Sequence, residues 1–107
     1  MPFPIIHVRG LNPNGMALFP FILVRTKELK QDKILINHES IHIWQQIELL
    51  VLPFYIFYLL NYLFNRIKYK SHYQAYMHIV FEKEAYENES DLDYLRNRRW
   101  FSWVTFL

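Results

Sequence analysis

The sequence predicts an α+β fold in which helix predominates, and three observations carry that prediction. Two β-rich runs, residues 3–9 and 16–26, stand at the start of the chain around the turn signal Asn12-Pro13-Asn14-Gly15. From residue 33 onward, apolar residues recur at helical spacing between capping residues and prolines. No linker, repeat or low-complexity segment divides the 107 residues, so residues 1–107 are read as a single domain.

Composition narrows the chemistry. Without cysteine there can be no disulfide, thiolate metal site or cysteine nucleophile, so any metal must be held by His and carboxylates. Hydrophobic residues make up 52% and aromatics 19%, which is rich for a domain this small; part of that apolar surface is expected to face a membrane, a partner or a substrate. A net charge of +2 gives no electrostatic footprint for nucleic acid, and no nucleic-acid partner is expected. The start, Met1-Pro2-Phe3-Pro4-Ile5-Ile6-His7, lacks the basic residues and long apolar core of a signal peptide, so the cytoplasmic side is the expected compartment.

The elements follow in order. The two β-rich runs are expected to pair as an antiparallel hairpin across the Asn12–Gly15 turn, with Pro20 marking an edge or a break. His7 and Arg9 alternate with Ile6 and Val8 and are expected to face solvent. Asp32 is an N-cap for a helix from Lys33 to about Leu52, and Lys27-Glu28 offers an earlier start. Its expected buried stripe is Ile34, Leu35, Ile41, Trp44, Ile47 and Leu50, and Pro53 ends or kinks it. Residues 49–60 are uncharged and form a Tyr-rich apolar helix too short to span a bilayer. A buried second helix is the first expectation for it; Tyr55, Tyr58 and Tyr62, followed by Arg66, Lys68 and Lys70, also give it the pattern of an interfacial helix, so peripheral membrane contact through this helix is the alternative. A further helix covers residues 72–88, with His78, Glu82, Ala85 and Glu89 on one face. Ser90 caps a short C-terminal helix, read as a solvated basic helix docked by the aromatic tail 100–107.

The chemistry centres on His38-Glu39-Ser40-Ile41-His42, an HExxH sequence. Residues at i and i+4 share a helix face, so His38 and His42 can direct two imidazoles at one zinc ion, and Glu39 can reach water held there. Zinc lowers the pKa of that water toward neutrality, and the carboxylate takes its proton as it attacks a carbonyl. Five His and seven Glu placed at random would give the pattern in roughly one shuffled sequence in eighty, so chance explains it poorly.

Catalytic zinc sites usually have a third protein ligand. A compact HExxHxxGxxH arrangement fails, because Gln45 and Glu48 stand where glycine and histidine belong. The ExxH step Glu39–His42 also fits a di-iron bundle, but Glu82, Glu84 and Glu87 have no His three residues later. The remaining source is the acidic helix 81–87, where one sequence leaves the helix rotation open between Glu82 and Glu84.

Glu82-Lys83-Glu84-Ala85 matches the first four positions of the E-x-x-A-D pattern of the gluzincins, metallopeptidases whose third ligand is a glutamate on a later helix. Across residues 33–46 and 81–89, HExxHxxQQ with this glutamate–alanine helix resembles a group of small gluzincin-like domains. The resemblance implies Zn2+ held by His38, His42 and Glu82, with Glu39 as the catalytic base, and a peptide or protein substrate. Tyr86 occupies the place of the family's aspartate, which orients a metal-bound histidine. His78, one turn before Glu82, is expected to polarise the substrate carbonyl as a second catalytic residue, ahead of His72, Tyr73 and Tyr76. A zinc-dependent peptidase is therefore the expected function; a metal-stabilised module binding a membrane surface or a protein is the alternative. No substrate-binding strand is legible in the sequence.

Overall fold

The computed structural model describes residues 3–107 and has the α+β architecture expected, a small sheet followed by helices. Three strands, β1 (Ile5–His7), β2 (Gly15–Leu18) and β3 (Phe21–Val24), form a sheet in the order β1-β3-β2. The hairpin lies inside the second β-rich run. β2 and β3 are antiparallel, with Leu18 opposite Phe21 across a Phe19-Pro20 turn, whereas β1 pairs with β3 in parallel, Ile5 opposite Ile22. The expected antiparallel pairing of residues 3–9 with 16–26 is thus corrected. Pro20 has no backbone donor and breaks the long run in two, so the Asn12–Gly15 segment serves as part of a crossover. The facing of β1 also differs from expectation: Ile6 is exposed and His7 half-buried, while Arg9 is exposed as expected.

One face of the sheet packs Ala17, Ile22 and Val24 against Ile43 of α1 (Lys33–Glu48). Asp32 caps α1 as predicted, its carboxylate accepting from Leu35 N–H at 3.1 Å. Asp32→Ala should cost about 1 kcal/mol, measurable as a lower urea midpoint at unchanged slope. The expected apolar stripe needs correction. Ile41 is buried, but Ile34 and Leu50 are exposed, and Asn37, His38, Glu39, Gln45, Gln46 and Glu48 lie inside. These polar groups are buried because each of Asn37, His38, Gln45, Gln46 and Glu48 finds a partner on another element. The helix ends at Glu48, and the chain reverses through Leu50 and Val51, both at positive φ. Pro53 therefore stands in the first turn of the next helix, where its missing N–H costs nothing.

That helix, α2 (Leu52–Lys68), lies at 112° to α1. The predicted helix over 72–88 is two helices, α3 (His72–Met77) and α4 (Val80–Asn88). The break falls at extended Ile79, and Asn61 Oδ1 of α2 accepts from Val80 N–H at 2.8 Å, supplying the cap for α4. α5 (Tyr94–Asn97) is a single turn preceded by Asp93, so the Ser90 cap is not used. Trp103 closes the second core against Phe81, beside Phe54 and Ile79, while Trp100 meets Trp44 edge-on and stays exposed.

Candidate metal centre

α1 presents His38 and His42 one turn apart, and α4 lies across them because Ala85, fully buried, lets the helix backbones approach. Glu82 Oε1 sits 3.1 Å from His38 Nε2 and 3.0 Å from His42 Nε2, and all three side chains are buried. The three ligand atoms lie within 4.8 Å of one another, so this group can hold a metal ion. A four-coordinate ion with bonds of about 2.0–2.1 Å separates neighbouring ligand atoms by about 3.3 Å, close to these distances.

Hydrogen bonds behind the rings fit the same reading. Gln45 Nε2 donates to Phe81 C=O at 3.1 Å and to Glu84 at 2.9 Å, which leaves its Oε1 to accept from His42 Nδ1–H at 2.7 Å. Glu89 Oε1 accepts from His38 Nδ1–H at 2.8 Å. Both Nδ1 atoms therefore carry protons. If the Nε2 contacts to Glu82 were also hydrogen bonds, two buried imidazolium ions would share one carboxylate oxygen. A metal ion removes that requirement by taking both Nε2 lone pairs from neutral rings.

The charges show what a metal ion held here would replace. Burial works against a charged His42, but the Glu82 carboxylate outweighs it and carries the ring up to about 9. Glu82 is held well below the usual carboxylate range by His42 and His38, against the effect of its own burial. Tyr58 donates to the second oxygen, Glu82 Oε2, at 2.6 Å, and burial together with Glu82 pushes its phenol well above the ordinary range. Glu82 is thus fixed from both sides.

Glu39 is buried, with its carboxyl pushed up by burial against the opposing pull of His42 and His38. It lines a cavity of about 320 Å3 with His42, Glu82, Tyr58, Tyr76 and residues 15–17. A Cβ on Gly15 would come within 3.2 Å of Glu39 Oε2, so glycine is what lets β2 run this close to α1. β2 is an edge strand, one of the two outcomes expected at Pro20. Its outer side is partly closed: Ala17 C=O accepts from Gln46 Nε2 and Tyr55 O–H, and Phe19 N–H donates to Gln46 Oε1. The register that bonds Arg25 N–H to Asn14 C=O turns the backbone of Gly15 outward, beside Glu39.

The structure brings together His38, Glu39, His42 and Glu82, and separates the other candidates. His78 ends α3; its Nδ1–H donates to Gln74 C=O at 2.7 Å and its ring stacks on Tyr69 at 4.2 Å. The helix break at Ile79 removes it from the Glu82 face, and Tyr76 lines the cavity instead. His72 accepts from or donates to Tyr62 on the exposed side, and Tyr73 is exposed. Glu84 is turned away into a buried ion network, where Arg98 bridges it to Glu48 at 2.6 and 2.7 Å. Burial works against its charge, but Arg98, Tyr94 and Gln45 outweigh that and hold it below the usual carboxylate range. Arg98 is accordingly not part of a solvated basic face; its side chain is 3% exposed.

Sequence reasoning did not assign Glu89, although it lies seven residues after Glu82 on the same helical face, the spacing that could have found it. Tyr86 meets His38 edge-on at 4.5 Å, and the carboxylate of Glu89 orients that ring. Glu89→Ala should weaken metal binding by about 10–100-fold, read by competition with a chromophoric chelator. The chain matches no family model, no curated protein and no solved structure.

Proposed function

We propose that this protein is a zinc-dependent peptidase of gluzincin type, with zinc held by His38, His42 and Glu82. The observation that carries the reading is the convergence of two Nε2 atoms and one carboxylate oxygen beside a fourth, uncommitted carboxyl group, Glu39, in a cavity bordered by an edge strand. Two nitrogens and one oxygen are a zinc-type donor set, and three protein ligands leave a coordination position for the reaction.

When bound, zinc supplies a Lewis acid and lowers the pKa of water toward neutrality. Glu39 takes the proton from the attacking water at its carboxylate and returns it to the departing amine nitrogen, so that it serves as base and then acid. Tyr76 lines the same cavity with its hydroxyl paired to that of Tyr86 at 2.9 Å, and burial and nearby Glu82 keep it protonated; we assign it the task of donating to the substrate carbonyl oxygen. Gly15 offers outward backbone groups with which an extended peptide can align beside Glu39, as in strand addition to a sheet edge.

The test is incubation of the zinc-loaded protein with a mixture of unstructured peptides, followed by mass spectrometry of the fragments. Cleavage should stop with a zinc chelator and return when zinc is restored. Fragments that persist unchanged under chelation, or no cleavage of any peptide by zinc-loaded protein, would count against the proposal.

A further inference from the structure

We infer that the outward face of α2 is a docking surface for the headgroup region of an anionic lipid bilayer. This inference is independent of the metal reading, and its test has no metal-dependent step. α2 has its polarity reversed relative to a water-facing helix. Its inward side sets Phe54 in the core beside polar groups that are all satisfied: Tyr55 donates to Ala17 C=O, Tyr58 to Glu82, and Asn65 to Ala75 C=O, while Asn61 caps α4. Its outward side carries Leu52, Ile56, Leu59, Leu60, Leu63 and Ile67, spaced three and four apart on one stripe, and all are exposed, Ile67 to 88%. The tyrosines that marked this helix as interfacial in the sequence thus face the protein. The surface that remains for a partner is apolar, with Phe57 and Phe64 exposed beside the aliphatic stripe, and a contiguous surface of this kind marks an interaction site.

Charge decides what covers it. Residues 49–81 contain no Asp or Glu, although the chain has ten elsewhere, and they hold Arg66, Lys68 and Lys70. At 100° per residue, Arg66 falls at the Leu59 edge of this surface and Lys68 at its opposite edge, beyond exposed Phe57 and Phe64. A second copy of the same face offers these cations no acidic partner. An anionic bilayer offers both an apolar boundary for the stripe and negative headgroups for its flanks. Tyr73, 67% exposed just past this end, suits the same interfacial depth. Among the described residues no single helix is long and apolar enough to cross a membrane, and the proposed contact has α2 lying along the surface. Tyr58, on the inner side of this helix, lines the Glu39 cavity, which places that cavity beside the membrane.

The test is flotation of the purified full chain with vesicles of phosphatidylcholine alone and of phosphatidylcholine mixed with phosphatidylglycerol. The wild type should float with the mixed vesicles, less so as salt is raised, and weakly with phosphatidylcholine alone. The double variant Leu59→Glu/Leu63→Glu, altered only at outward positions, should lose binding by at least about tenfold with unchanged circular dichroism. Arg66→Glu/Lys68→Glu should reduce binding of mixed vesicles to the level of neutral ones. Wild type that floats with neither vesicle, or a Leu59→Glu/Leu63→Glu variant that floats equally well, would overturn the inference. So would a wild-type dimer in lipid-free solution that the same double variant converts to monomer, since the occupant would then be a second copy.

Discussion

Glu39→Gln is expected to leave the metal content unchanged and to lower peptide hydrolysis by about 10^2–10^4-fold, the contribution of a positioned general base. Glu39 stands outside the ligand cluster, so the substitution removes no metal bond. Glutamine has nearly the same shape, so it fits the same space beside Gly15. What disappears is a carboxylate able to accept a proton. Burial pushes that group upward, against the pull of His42 and His38. The measurement is kcat on a fluorogenic peptide beside elemental analysis of the same preparation. Equal turnover in both proteins would remove Glu39 from the mechanism. Metal in both with turnover in neither would leave a structural site.

Arg98→Met is expected to destabilise the protein by about 3–5 kcal/mol, because it leaves two buried carboxylates with no cation. Glu48 and Glu84 side chains are fully buried, and Arg98 contributes hydrogen bonds to both. At about 4–8 °C per kcal/mol for a domain near this size, the melting temperature should fall by more than about 10 °C. Replacing all three residues by methionine should recover part of the loss. Recovery stays incomplete because Phe101 N–H, Tyr94 O–H and the Gln45 amide each lose a carboxylate acceptor. The effect reaches the candidate metal centre through Gln45, whose amide links Glu84 to His42. Thermal unfolding of the single and triple variants separates the lost charge balance from lost packing.

The half of the site that lies on one helix was legible because covalent spacing alone brings His38, Glu39 and His42 together. Glu82 was legible only through its pattern with Ala85, whose small side chain the helix crossing uses. The rest depended on contacts between distant residues. Periodicity misread α1 because its inner face carries the site and the Glu48–Arg98 network, so that polar residues occupy positions normally apolar. It could not choose a face for α2, where tyrosines and asparagines point inward and aliphatic residues outward. The strong turn signal at Asn12–Gly15 drew the hairpin away from Phe19-Pro20, where β2 and β3 meet. His78 was misplaced because the break before α4 is stabilised from α2 by Asn61, a contact that local sequence does not encode.

Elemental analysis of protein purified without added metal, beside His42→Ala prepared identically, tests the central claim most directly. Structural zinc binding of about 10–16 kcal/mol over four ligands amounts to about 2.5–4 kcal/mol each, so losing one should weaken affinity by about 10^2–10^3-fold. The expected result is about one zinc per wild-type chain and little or none in the variant. Wild type that stays metal-free after dialysis against zinc, or His42→Ala that retains as much metal as wild type, would contradict the assignment of His38, His42 and Glu82 as a metal centre.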